Sequence, residues 1–130
     1  MVTRKLLEEL DSTLEGELFD DKLTKSLYAT DASVYRKIPL CVTFPKTVGD
    51  IKKLINFAAK HKIGLIPRTA GTSLAGQCVG DGIVVDVSKH FTKIIAFDES
   101  KKQITVQPGV IRDELNQYLE PYGLFFGPNT

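Results

Sequence analysis

The sequence predicts an α+β domain around a mixed β-sheet, and three observations carry that expectation. Two apolar runs, Leu40–Phe44 and Ile63–Pro67, flank an amphipathic stretch that opens at Thr47. Strand, helix, strand with short joints is a βαβ unit, in which the two strands lie parallel and adjacent. Three further strand-like runs, Ile83–Val87, Lys93–Phe97 and Gln103–Gln107, have the joints of a short β-meander. Finally, 130 residues with 42% hydrophobic and 25% charged content can bury a core without disulfide or metal staples.

Taken in order, the lead segment carries Leu6, Leu7, Leu10 and Leu14 at helical spacing and then Leu18, Leu23 and Leu27, so residues 1–27 are expected to form one or two short helices capping the rest. Thr30-Asp31-Ala32-Ser33 is turn-rich. Leu40–Phe44, ended by Pro45, is the first core strand. Thr47 can cap a helix with Asp50 three positions on, and Val48, Ile51, Leu54, Ile55 and Ala58 fall on one face. Lys60, His61 and Lys62 suit the negative end of the helix dipole, and Gly64 suits a left-handed exit. After the three β-runs, Pro108-Gly109 breaks the chain. Ile111, Leu115, Tyr118, Leu119 and Tyr122 then mark a second helix ending before Gly123, and Leu124-Phe125-Phe126 opens another strand.

Charge narrows the function. Seventeen Lys+Arg against 16 Asp+Glu, net +1, give no bulk field for nucleic acid or anionic lipid, so phosphate recognition must be local. Arg4, Lys5, Glu8 and Glu9 interrupt the first apolar residues, and no other apolar run approaches membrane-spanning length, so a cytoplasmic chain with no transmembrane segment is expected. Cys41 and Cys78 are too far apart for a CxxC pair and read as reduced, free thiols. His61 and His90 lack a partner nearby in sequence and read as exposed polar residues, and no metal site is expected. Asp86, a charge inside an apolar run, reads as hydrogen-bonded rather than catalytic. Tyr118 and Tyr122 read as core.

One segment carries chemistry. Arg68-Thr69-Ala70-Gly71-Thr72-Ser73-Leu74-Ala75-Gly76-Gln77 follows a parallel strand, and seven of the nine residues from Thr69 on are Gly, Ala, Ser or Thr. Such a bare backbone lets N–H groups converge on an anion, the hydroxyls of Thr72 and Ser73 add donors, and Arg68 supplies charge. Loops at the carboxyl ends of parallel strands are also where α/β sheets bind ligands. Gly71 and Gly76 have Walker A spacing, but Gln77-Cys78 stands where Lys-Ser/Thr is required, which excludes that ATPase loop. No GxGxxG opens a helix, which excludes a dinucleotide fold of the Rossmann type. From these residues alone, an anion cradle and a tight Gly/Ser turn remain equally open.

The run PRTAGTSLAGQ, followed by GIVVDVS, ITVQPGV and GLFFGPNT, resembles the FAD-binding domain of FAD-linked oxidases of the vanillyl-alcohol oxidase or p-cresol methylhydroxylase type, in the D-lactate dehydrogenase and glycolate oxidase branch. The resemblance spans residues 28–130 and implies the first subdomain of that domain, truncated at its carboxyl end. It implies FAD as cofactor, with the pyrophosphate wrapped by Arg68, Thr69, Ala70, Gly71, Thr72, Ser73, Gly76 and Gln77. Thr69 and Ala70 stand where the family commonly has glycine. Thr72 stands where some relatives carry a flavin-linked histidine, so no covalent link is expected. Pro108, Gly109 and Val110 correspond to a turn near the flavin, and Gly127 and Pro128, with Asn129 and Thr130, begin a further FAD contact.

The function so implied is the FAD-binding portion of a flavin-dependent oxidoreductase acting on a small 2-hydroxy acid such as D-lactate or glycolate. No catalytic residue is expected within these 130 residues. The resemblance further implies, as partners, the remainder of the FAD domain, a substrate domain and, in some longer members, an iron–sulfur segment as electron acceptor. A non-enzymatic nucleotide- or anion-binding module using the Thr69–Gln77 loop is the alternative.

Overall fold

In the computed structural model, which describes residues 1–129, the chain forms α1 (Arg4–Thr13), β1 (Glu17–Phe19), α2 (Lys22–Leu27), β2 (Cys41–Phe44), α3 (Val48–His61), β3 (Leu65–Arg68), β4 (Ile83–Asp86), β5 (Ile94–Asp98), β6 (Gln103–Val106) and α4 (Arg112–Leu119), with a 3-10 turn at Glu120–Tyr122. Two compact units divide these elements, Met1–His90 and the residues from Phe91 on. The α+β class and the mixed sheet agree with the sequence reading.

The first unit is a four-stranded sheet in the order β1-β2-β4-β3. β2 and β3 both run parallel to β4, and β1 is antiparallel to β2. Strands covered on both faces need apolar side chains at consecutive positions, and Cys41, Val42, Ile83 and Val84 are all fully buried. Alternation splits them. Cys41, Ile83 and Val85 pack with Leu7, Leu10 and Leu54 beneath the helices, whereas Val42, Val84 and Ile66 pack on the other face with Tyr28 and Phe44.

Two expected details of the sheet need correction. The strands of the βαβ unit are parallel but not adjacent, because β4 returns between β2 and β3. For the same reason the three later runs do not form one meander: β4 belongs to the four-stranded sheet, and only β5 and β6 pair as a hairpin. Ile83–Asp86 is buried throughout, being paired on both edges by β2 and β3 and packed on both faces by the two apolar clusters. Gly82 permits this close entry, since a Cβ there would lie 2.0 Å from Gly64 O, and Ile83 N donates to that oxygen at 2.9 Å. Gly64 does not make the left-handed exit, which Lys62 takes with φ 54°, and a Cβ at Gly64 would meet nothing within 4 Å.

β1 is absent from the sequence expectation. Its three residues are too few for a periodic signal, and they pair with Val42–Phe44 to make the lead segment an edge of the sheet. Asp50 locks that edge in place. Its Oδ1 accepts from Glu15 N, and its Oδ2 accepts from Gly16 N and Lys46 N, each at 2.9 Å, while Thr47 Oγ1 caps Asp50 N as expected. Asp50 is thus fully buried on α3, and Val48 and Ile55, expected on the core face, are 61% and 49% exposed.

In the second unit, Phe97 of the hairpin packs against Tyr122 in a tilted pair at 4.7 Å and meets Tyr118 edge-on at 6.1 Å. Both tyrosines remain exposed at 41–43%, so they are half-exposed aromatic partners of Phe97 rather than core. Gly123 closes the helical stretch with φ 64°. Leu124-Phe125-Phe126 is not a strand. Asn116 takes the place of a neighbouring strand there, accepting from Phe126 N at 2.6 Å and donating to Phe126 O at 3.2 Å.

Candidate functional site

Thr69–Gln77 leaves the carboxyl end of β3, and the chain returns along β4. Gly71 and Gly76 adopt φ of +69° and +73°, a region that other residues enter only with strain. Side chains would also force neighbours to move: a Cβ on Gly71 would lie 2.4 Å from Arg68 Nη2, and one on Gly76 would lie 2.7 Å from the Tyr35 ring. Gly71 is buried, whereas Thr69, Ala70, Thr72, Leu74, Ala75 and Gln77 are exposed.

Inside the loop, Ser73 Oγ accepts from Ala75 N and Gln77 N, both at 3.2 Å, and donates to Gln77 Oε1 at 3.0 Å. The Ser73 hydroxyl and the Gln77 amide oxygen are therefore committed to shaping the loop rather than free for an anion. Thr72 keeps an uncommitted hydroxyl among the described residues. More telling is the backbone. Among the described residues, the N–H groups of Ala70, Gly71, Thr72, Ser73, Leu74 and Gly76 donate to no protein acceptor. A run of free donors in one glycine-bent loop is the donor set that a phosphate oxygen requires.

Arg68 is more constrained than its sequence role suggests. Nη1 donates to Thr30 O at 2.8 Å and reaches Cys78 O at 3.5 Å, and the guanidinium lies 5.0 Å from the centre of the Tyr28 ring. Its charge remains beneath the loop, with one nitrogen holding the surrounding backbone. Tyr28 in turn donates its hydroxyl to Asp86 Oδ2 at 2.6 Å, and Asp86 Oδ1 accepts from Ser88 N and Ser88 Oγ at 2.8 and 2.6 Å. Burial and the Asp86 carboxylate both push the Tyr28 phenol well above its ordinary value, so it stays protonated as donor. Asp86 is thus hydrogen-bonded, as expected, with a partner 58 residues away that local sequence could not reveal.

The remaining predicted positions lie in the second unit. Gly109 is buried and donates to Phe91 O at 2.8 Å, and Val110 N donates to Gln107 O at 3.2 Å, so Pro108-Gly109-Val110 is an ordered turn leading into α4. Gly127 and Pro128 are exposed beyond the Asn116 clasp, and Thr130 lies outside the described residues.

His90 departs from its reading as an exposed residue. Nε2 lies 2.8 Å from Glu17 Oε2, and Lys89 holds the other oxygen. Lys89 and His90 together keep the Glu17 carboxyl below its usual range against a smaller opposing effect of burial. Cys41 and Cys78 are both free. Burial pushes the Cys41 thiol up to about 12. No described helix is long and apolar enough to cross a membrane.

With this geometry in hand, a family model described as an FAD binding domain matches residues 39–130. The chain belongs to the FAD binding domain family. A D-2-hydroxyglutarate dehydrogenase of Haemophilus influenzae is 39% identical across 98% of this chain, and the glycolate oxidase subunit GlcD of Bacillus subtilis is 33% identical across 99%. The chain spans 13% and 28% of the length of these two relatives. An alkyldihydroxyacetonephosphate synthase structure matches with TM-score 0.83 at 18% identity, over all of this chain and 27% of its own. A p-cresol methylhydroxylase structure matches with TM-score 0.78 at 18% identity, over 95% of this chain and 26% of its own. These two structural matches establish the fold of the FAD binding domain that the sequence resemblance implied.

Proposed function

We propose that the Ala70–Gly76 loop grips the diphosphate of FAD, and that the chain is the FAD-binding portion of an oxidoreductase acting on a small 2-hydroxy acid. The observation that carries this reading is the set of free N–H groups in a loop bent by two left-handed glycines. The residues fit the group: these amides bind, the Thr72 hydroxyl adds a donor, and Arg68 supplies a positive charge. When bound, FAD supplies a hydride acceptor for the oxidation of the hydroxy acid. Pro108, Gly109 and Val110, with Gly127 and Pro128, are assigned as further FAD contacts, and Thr69 and Gln77 as loop flanks.

The substrate class rests on the relatives, whose names include D-2-hydroxyglutarate dehydrogenase, glycolate oxidase subunit and D-lactate dehydrogenase. Their greater length supports a separate substrate domain, and an iron–sulfur acceptor and a cytoplasmic location complete the proposal. The test is to purify the full-length protein, record its flavin absorbance, and add D-lactate, glycolate and D-2-hydroxyglutarate in turn without oxygen. Bleaching of the flavin by at least one acid is expected. A flavin-free protein that FAD does not reconstitute would overturn the reading, and a flavin that none of the acids bleaches would remove the substrate class.

A further inference from the structure

Four contacts join the short segment Tyr28–Ala32 to the loop assigned to the diphosphate. Arg68 Nη1 donates to Thr30 O at 2.8 Å, and the guanidinium lies over the Tyr28 ring. Ala32 N donates to Gly71 O at 3.0 Å, and Cys78 N donates to Asp31 Oδ2 at 3.3 Å. These contacts meet the loop at its entry, at its first left-handed glycine and at its exit. Asp31 does so through a carboxylate, and its other oxygen accepts from Ser33 N at 2.9 Å, which fixes this segment, a strap tied to the loop.

We propose that Asp31 is a positioning residue for FAD: by holding Cys78 N it fixes the exit of the loop, so the free N–H groups of Ala70–Leu74 are set before the diphosphate arrives. The inference rests on the loop being the diphosphate site. A loop already ordered loses less freedom on binding, which raises affinity without adding a contact. Asp31 is half-buried, lies outside the apolar clusters of the sheet and, among the described residues, has its side-chain bonds only with its own segment and the loop exit. Its removal should therefore loosen the loop locally and leave global stability nearly intact.

The experiment titrates the flavin-free full-length protein with FAD and, separately, with riboflavin, which has no diphosphate. Asp31→Ala should weaken FAD binding about tenfold, leave riboflavin binding unchanged and speed amide exchange at Ala75, Gln77 and Cys78, the loop amides that are hydrogen-bonded, with little change in melting temperature. Gly71→Ala serves as the test of the loop itself. If Gly71→Ala weakens FAD binding and Asp31→Ala does not, the loop assignment stands and the role of Asp31 is overturned. If neither variant alters FAD binding, the loop assignment falls and takes the inference with it. An equal loss of FAD and riboflavin with a large fall in melting temperature would show that Asp31 serves only general folding, which also overturns the inference.

Discussion

Replacing Asp50 by asparagine tests how the lead segment is fastened to the sheet. The two side chains have nearly the same shape, so no cavity forms, and only the acceptors change. Aspartate serves three backbone donors, Glu15 N at Oδ1 and Gly16 N and Lys46 N at Oδ2, all at 2.9 Å. Asparagine keeps one oxygen, so in its better orientation Glu15 N faces an amide NH2 and the two remaining bonds lose their charge. A hydrogen bond to a charged group contributes about 1.5 to 3 kcal/mol, and a donor left without a partner costs about 1 to 3 kcal/mol, so a loss of about 3 kcal/mol is expected.

The pH dependence gives this prediction a second handle. Burial opposes the Asp50 charge, but the N–H donors of Glu15, Lys46 and Gly16 outweigh it and hold the carboxyl below its ordinary value of 3.8. A lowered folded pKa means that the unfolded chain takes up the proton first, so the contribution is complete above 3.8 and is lost as pH falls through the lowered value. Urea unfolding of parent and Asp50→Asn should therefore show a gap of about 3 kcal/mol at pH 7 that narrows below pH 4. Equal stability at pH 7, or a gap that persists undiminished into strong acid, would refute the reasoning.

Gly71→Ala should cost about 1 to 3 kcal/mol from its left-handed φ and displace Arg68 from Thr30 O, lowering both stability and FAD affinity; thermal melting paired with FAD titration checks this, and an unaltered melting curve would contradict it. Tyr28→Phe keeps the ring beneath Arg68 but deprives buried Asp86 of a donor, so a stability loss of about 1.5 to 3 kcal/mol with FAD affinity retained is expected from denaturant titration. Thiol alkylation of the native protein followed by mass spectrometry should label half-buried Cys78 and spare Cys41, whose buried thiol is pushed up to about 12. Changing either cysteine to alanine should leave FAD binding unchanged.

The parts of the molecule legible in the sequence are those encoded locally. The Thr47 cap and the helix to His61 were readable because the cap and the apolar spacing lie in adjacent turns. The bare loop was readable because small residues expose backbone wherever they occur. Strand order was not readable, since Ile83–Asp86 has the same apolar character whether it pairs with a following run or slips between β2 and β3. The same limit hid the strap: Thr30-Asp31-Ala32-Ser33 signals a turn, but nothing nearby announces that Asp31 reaches Cys78 N, 47 residues on. The sequence shows a charge at Arg68 beside the loop, yet its bond to Thr30 O depends on that same distant segment.

The central claim is that the free amides of the loop take the FAD diphosphate, and backbone amide NMR of isotopically labelled full-length protein tests it most directly. Spectra of the flavin-free protein are compared with those after saturation by FAD and by riboflavin. Large shifts and slowed exchange at Ala70–Leu74 and Gly76 with FAD, absent with riboflavin, are the predicted result. FAD binding that leaves these six amides unshifted would place the diphosphate elsewhere and contradict the account.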